Sequence, residues 1–423
     1  MEETSVSEQQ EQENTIITIV LTADNHLGFG GQHPRRRRQR REQLRRAFQK
    51  ATDFAIGQRV DFFIQVGDLF DTTHPQEEDR SFVAARLAQL KQAGIRAFAL
   101  GGVHDTPTEV QAGKGETLSA PQMSYARLGA LHYFPPCAEQ PLQPVMAQVR
   151  GVQVGLCGVG VVAGQQGDPL ASLQVDGEIE RAAIPLLLLH APIEGLTTGS
   201  TLLDMQAQVS QVSIAAQRFF RYILAGYHHS YQHLTVGRTE VIVAGATQHV
   251  DFNDAPPGFV FLGIAPDGLR WCRHIEVDGP VVSRVVVQVA DLWPEEQAAS
   301  PTAKILEQLK PTCTPDSIVQ LRLEGALTRE RYHQLDLNQV QRFGEEHAFS
   351  FHIDDSALMF LAGGEDGASS PASSALPSFE ERLSPREELI ALADEWIAAA
   401  QDEQEQKALQ ATKEELLAAL WNM

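Results

Sequence analysis

At 423 residues the chain is too long for one ordinary hydrophobic core, and two or three modules are expected. Its net charge of −21 argues against a surface that is basic throughout, and no apolar run approaches the roughly 20 residues needed to cross a bilayer, so no membrane partner is expected. Cys137, Cys157, Cys272 and Cys313 lie scattered without C-x-x-C spacing, which argues against a disulfide framework and predicts reduced thiols in a cytoplasmic protein.

Residues 1–14 are polar and acidic without apolar pattern and predict a disordered leader. Five short apolar runs follow, each ending in residues suited to metals or phosphates. Ile16–Leu21 runs into Asp24, Asn25 and His26; Phe62–Val66 runs into Gly67, Asp68 and Asp71. Ile95–Leu100 leads to Gly102, Val103, His104 and Asp105, Ile184–Leu189 to His190, and Tyr222–Ala225 to Gly226, Tyr227, His228 and His229. Singly, each ending fits an N-cap, a turn or a satisfied core histidine. Together they predict a sheet whose strand ends converge on one polar site, with Asp, His and Asn donors that suit Mn²⁺, Fe²⁺ or Zn²⁺.

Between the first two runs lie Arg35, Arg36, Arg37, Arg38, Arg40, Arg41, Arg45 and Arg46, backed by a helical stripe of Leu44, Ala47, Phe48, Ala51 and Phe54. A solvated helix start accounts for such a run. A clamp on the DNA phosphate backbone accounts for it equally, and on an otherwise acidic chain so dense a basic patch calls for a partner. From Val281 the texture changes: Ser283–Val289, Ile318–Leu323 and Ala348–Ile353 predict strands, and Thr302–Leu309 and Arg329–Phe343 predict helices, a small α+β module over 280–360. Residues 361–379, rich in Gly, Ser, Pro and Ala, predict a flexible linker. In the 380–423 tail, Ser384-Pro385-Arg386-Glu387 is a capping box ahead of apolar stripes at Leu389, Ile390, Ala393, Trp396 and Ile397 and at Leu409, Leu416, Leu417, Leu420 and Trp421. An amphipathic element of this kind either packs on its own domain or docks a partner, and its tether favours the partner.

The ordered set of motifs resembles the calcineurin-like metallophosphoesterases, whose pattern is D-x-H, G-D, G-N-H-[DE], H and G-H-x-H. Within them the chain looks most like the SbcD-like DNA repair exonucleases, through Ala23–Gly28, Gly67–Asp71, His104-Asp105-Thr106-Pro107, Gly245-Ala246-Thr247, Phe252 and Gly258-Phe259. The resemblance implies an α/β fold, a four-layer β-sandwich flanked by helices over residues 15–279, with a DNA-facing cap and a helical tail. It implies a first metal held by Asp24, His26, Asp68 and His229, with Asp68 shared with a second metal that His190 helps to hold. Two positions depart from the pattern: Val103 stands for the family's asparagine and Tyr227 for its first histidine of G-H-x-H. Neither an isopropyl group nor a neutral phenol is a competent ligand, so one tight divalent ion is expected, Mn before Fe or Zn, and a second site that is weak or absent. His228 is the candidate to replace the missing imidazole, and His104, with Asp105 to orient it, is the implied leaving-group acid. The implied activity is a metal-dependent DNA exonuclease acting with an SbcC-like SMC-type ATPase bound through the C-terminal helices, with a homodimer also admitted. The alternative is a degenerate phosphoesterase serving as a non-catalytic DNA-binding or scaffold subunit.

Overall fold

The structure, a computed structural model, describes residues 15–30, 36–107, 119–136, 139–162, 164–196, 207–250, 256–293, 300–361 and 382–383. The expected leader, Arg35, Phe252, and the linker and helical tail apart from residues 361, 382 and 383 lie outside the described residues. The chain divides into two compact units at Gly279/Pro280.

The first unit is built on two six-stranded sheets. One has the order β12-β11-β1-β2-β3-β4, with β1 (Ile17–Thr22), β2 (Phe62–Val66), β3 (Arg96–Leu100) and β4 (His132–Phe134) parallel to one another. Strands β11 (Gly258–Ala265) and β12 (Gly268–Glu276) extend its other edge antiparallel. The second sheet has the order β5-β6-β7-β8-β10-β9. Here β6 (Val152–Gly160), β7 (Ile184–His190), β8 (Tyr222–Gly226) and β10 (Thr239–Val243) run parallel, with β5 (Val145–Val149) and β9 (Gln232–Val236) antiparallel at the edges.

Strands covered on both faces need apolar residues at every position rather than at alternate ones, which is why β2 and β8 are buried throughout. Alternate residues serve different layers. Ile19, Leu21, Phe62 and Ile64 meet Leu156, Leu186, Leu188 and Leu224 between the sheets. Val20 and Phe63 turn outward to α1 (Arg37–Gln58) and α2 (Glu77–Gln92), where Leu44, Phe48 and Ala51 form the predicted stripe. Phe48 and Phe63 pack edge to face, with ring centroids 5.9 Å apart. On the far side, Val159, Leu187, Leu189 and Ile223 pack against Leu170, Ile193, Ile214 and Phe220. The resulting order of helices, sheet, sheet and loop layer is consistent with the α/β sandwich flanked by helices that the sequence leads one to expect. It brings the carboxyl ends of β1, β2, β3, β7 and β8 toward one region.

The second unit is a sheet ordered β13-β14-β15-β16, in which β13 (Val281–Gln288), β14 (Ser317–Leu327) and β15 (Ser350–Leu361) are parallel. Arg382–Leu383, β16, pairs antiparallel with the end of β15. Helices Pro301–Leu309 and Leu337–His347 cover one face, with Ile305, Leu309 and Val340 packed on Val319, Leu321 and Leu323. The helix expected over 329–343 is two helices, Arg329–His333 and Leu337–His347. Asp336 caps the second by accepting from the Gln339 N–H at 2.8 Å, a local bond that competes with continuing the first. Gly344 is required where the second helix meets the sheet, because a Cβ there would run into the Phe351 ring.

Candidate metal centre

The strand ends do converge. Ligand atoms of Asp24, His26 and His229 lie within 4.8 Å of one another, as do those of Asp24, Asp68 and His190, and those of His26, Asp71 and His104. Backbone hydrogen bonds stitch the loops after β1 and β2 together: the N–H groups of Asp24, His26 and Leu27 donate to the carbonyls of Gly67, Asp68 and Leu69 at 3.1, 3.1 and 3.0 Å. This stitching forces left-handed backbone. Among the described residues six non-glycine positions have positive φ, and four of them are here: Asp24 (46°), His26 (43°), Asp68 (52°) and Tyr227 (79°). Asp tolerates this region; for an aromatic residue it is strained. The glycines of the motifs are steric necessities. A Cβ on Gly67 would collide with the His190 ring, and one on Gly102 with the backbone nitrogen and carboxylate of Asp68.

The carboxylates are held by directed donors. Both oxygens of Asp24 accept from the Tyr227 N–H, at 3.1 and 3.2 Å. Asp68 Oδ1 accepts from the His104 N–H at 2.8 Å, and its Oδ2 lies 3.2 Å from His190 Nε2. Burial alone would push the Asp68 carboxyl up, but His190, His26 and His104 around it outweigh burial and hold it below the ordinary carboxylate range. Asp24 is pushed up by burial and by Asp68, against the pull of His190 and His229. His190 is buried, which disfavours its charge, yet Asp68 and Asp24 raise it to about 9. In the metal-free protein a proton on His190 supplies the positive charge that the pocket demands. A cation would replace it.

The donors fit such a cation. His26 Nδ1 lies 3.1 Å from Asp71 Oδ1, which assigns the ring proton to Nδ1, while the buried Nε2 has no hydrogen-bond partner. That is the carboxylate–histidine arrangement by which proteins orient a metal-binding nitrogen. Asp24, His26 and His229 would hold one ion, with Asp68, grouped with Asp24 and His190, alongside.

The other side of the pocket is different. Val103 and Tyr227 are partly buried against the apolar cluster of Val159, Leu189 and Ala225, and the Tyr227 ring stands edge-on to His190 at 5.6 Å. His228 does not substitute for a missing ligand: its Nε2 accepts from the Ile193 N–H at 2.8 Å, and it is His229 that groups with Asp24 and His26. Asp105 does not orient His104 either. Its carboxylate accepts from the N–H groups of Gly102 (2.9 Å) and Phe70 (3.1 Å) and from Gln122, so it ties the loops after β2 and β3 together, and burial pushes it up to about 6. The carboxylate nearest the His104 imidazole is Asp71, 4.0 Å from its Nδ1. His104 is partly exposed, and burial among neighbouring imidazoles lowers its pKa from the ordinary value against the pull of Asp68 and Asp71.

Two supporting roles escaped sequence reasoning. One is that of Asp71, read from the sequence as one of the polar residues at the strand end and found to orient His26. The other is that of a buried network in which Gln65 Nε2 donates to Gly67 O (2.7 Å) and to Asn25 Oδ1 (3.2 Å), and Asn25 Nδ2 donates to Thr247 Oγ1 (3.1 Å). Thr247 is 222 positions from Asn25, beyond any local signal.

The arginine run divides. Arg40 is buried near the Phe29 ring and Arg41 holds the Gly28 carbonyl at 3.0 Å, so neither is offered to a phosphate as expected. Arg45 reaches Asp79 at 2.7 Å and Arg46 pairs with Glu42. Arg37 and Arg38 are exposed and Arg36 is half-buried, at the start of α1.

Residues 17–157, which carry the first sheet's β1 to β4 and the Asp24, His26, Asp68 and His104 positions, match the family model of the calcineurin-like phosphoesterases. Within the class, the chain is 36% identical over 95 residues to the DNA double-strand break repair protein Mre11 of Methanosarcina mazei, covering 22% of this chain and 15% of that one. It is 32% identical over 99 residues to that of Sulfurisphaera tokodaii (22% and 24%) and 31% over 97 residues to that of Saccharolobus solfataricus (22% and 23%). The match thus spans less than a quarter of each relative.

Proposed function

We propose that the chain is a metal-dependent DNA nuclease that hydrolyses phosphodiester bonds in break repair, with an exonuclease mode and Mn²⁺ as its ion. The observation that carries this is a pair of ligand groups sharing Asp24, one with His26 and His229 and one with Asp68 and His190, with the His26 Nε2 unpartnered and the His104 imidazole at the rim. A bound divalent ion supplies a more acidic water and neutralises charge developing on the phosphate. The chain does the rest. The Tyr227 N–H fixes both oxygens of Asp24, Asp71 fixes the His26 tautomer, and the His104 backbone N–H aligns Asp68. His104, accessible at the rim, steers or protonates the leaving oxygen. Arg36, Arg37 and Arg38 hold flanking phosphates, with Arg35 alongside them in sequence. Cytoplasmic location, an SMC-type ATPase partner docked on the C-terminal helices, and a DNA-facing second unit complete the proposal. Purified protein should hold about one tightly bound Mn²⁺, Fe²⁺ or Zn²⁺ and cleave DNA, with Asp68→Ala abolishing cleavage. Absence of bound metal together with an unchanged rate in Asp68→Ala would sink the mechanism.

The apolar wall of Val103 and Tyr227 favours a second reading, a degenerate phosphoesterase that binds DNA without cutting it. Val103→Asn combined with Tyr227→His separates the two. A large gain of nuclease activity over an inert parent supports degeneracy, and no gain over an active parent rejects it.

A further inference from the structure

A cavity of about 430 Å³ opens beside the metal centre, within the range of small-molecule pockets. Its lining includes Pro136, Gln140, Gly160, Gln165, Asp168 and Ser172. Its wall meets the loops of the metal centre through backbone. Gly160, at the end of β6, lies beside His190 in register, and a Cβ there would come within 3.3 Å of the carbonyls of both His190 and Gly101. Pro136 accepts from the Gly160 N–H at 2.9 Å, and its ring would block any Cβ on Gly101, one residue before Gly102 and three before His104.

The chemistry of the wall selects a ligand class. Among the described residues lining it there is no lysine or arginine, so it does not suit a phosphate. Its one carboxylate, Asp168, is committed to the N–H groups of Leu170 (2.8 Å) and Ser210 (2.9 Å) and to the Ser210 hydroxyl (2.8 Å), so it does not suit a cation. Side-chain amides are present and held: Gln140 Oε1 accepts from Gln174 N at 2.9 Å, which leaves its NH₂ to donate, and Gln165 Oε1 accepts from Val162 N at 3.2 Å. Fixed amides and a hydroxyl, beside a carboxylate whose oxygens are already taken up, complement a planar heterocycle with donor and acceptor edges.

We propose that this cavity receives a nucleobase of the DNA strand whose phosphate lies at the metal centre, a base turned out of its stack. The assignment rests on the phosphoesterase reading above. Its test uses the full chain with Mn²⁺ and single-stranded oligonucleotides carrying one abasic tetrahydrofuran unit at successive positions around the cleaved bond, with bis(p-nitrophenyl) phosphate as a base-free substrate. At one position, loss of the base should lower kcat/KM about tenfold, equivalent to about 1.4 kcal/mol. Ser172→Trp, filling the cavity from its exposed edge, should erase that difference while leaving bis(p-nitrophenyl) phosphate hydrolysis as in the parent. Equal cleavage of all abasic oligonucleotides, or a base dependence that survives Ser172→Trp, overturns the assignment. If Ser172→Trp also lowers bis(p-nitrophenyl) phosphate turnover, Gln140→Ala decides: an undiminished base dependence overturns the proposal and a diminished one supports it. A parent protein without metal-dependent bis(p-nitrophenyl) phosphate hydrolysis removes the phosphoesterase reading, and this assignment with it.

Discussion

Asp71 is not itself among the expected ligands, yet its removal should weaken metal binding. Its Oδ1 lies 3.1 Å from His26 Nδ1 and 4.0 Å from His104 Nδ1. Without it, the His26 ring keeps neither a fixed tautomer nor a fixed tilt, and its Nε2 presents a lone pair to the ion for only part of the time. Removing such an outer carboxylate costs about 10- to 100-fold in metal affinity. Asp71 is 28% exposed, so water can partly replace its oxygen, and the lower end applies: about tenfold, or about 1.4 kcal/mol, for Asp71→Ala. Asp71→Asn retains an acceptor for the Nδ1 proton and should recover most of that loss. The assay is competition for Mn²⁺ against a chromophoric chelator at fixed pH, with metal-free melting curves as a control for folding. Unaltered affinity in Asp71→Ala, or equal losses in Ala and Asn, would refute the argument that hydrogen bonding to His26 prepares the site.

The metal-free protein should also respond to pH in a definite direction. His190 is raised to about 9 from an ordinary value of 6.5, so its contribution to stability is complete below about 6.5 and lost as pH rises through about 9. Urea midpoints of metal-free protein should therefore fall across that window, and bound metal should flatten the dependence; a rise would contradict the His190–Asp68 pairing. Gly102→Ala places a methyl group against Asp68 and should cost about 1–3 kcal/mol and most of the metal affinity, read by melting and metal titration together. Replacing Arg37 and Arg38 by Ala should reduce the slope of log K against log salt for DNA by about 1.8. Arg40→Ala, by contrast, should lower the melting temperature and leave that slope unchanged.

The strand ends were legible because both signals are local: an apolar run buried on two faces, then the glycine and acid that a tight, left-handed turn requires. Asp24, His26, Asp68, His190 and His229 follow from that pattern, and the structure gathers them into two overlapping groups. His228, the expected substitute ligand, instead accepts from the Ile193 N–H, a partner 35 positions away. What escaped depends on partners distant in sequence. Asp105 was paired with its neighbour His104, yet its bonds go to Phe70, Gly102 and Gln122 on other loops. The arginine run looked uniform, but helical periodicity turns Arg40 inward toward Phe29 and leaves Arg37 and Arg38 outside. Asp336 broke a helix whose apolar spacing alone predicted continuity.

The left-handed backbone at Asp24, His26, Asp68 and Tyr227 bears on how this molecule could be made hardier. Strained positions of this kind each store about 1–3 kcal/mol, and glycine would relieve much of it. A screen that rewards heat resistance alone would be drawn to these four codons, exchanging carboxylates, imidazole and phenol for hydrogen. The survivors would be tougher proteins stripped of Asp24, His26 and Asp68, three of the side chains expected to grip an ion.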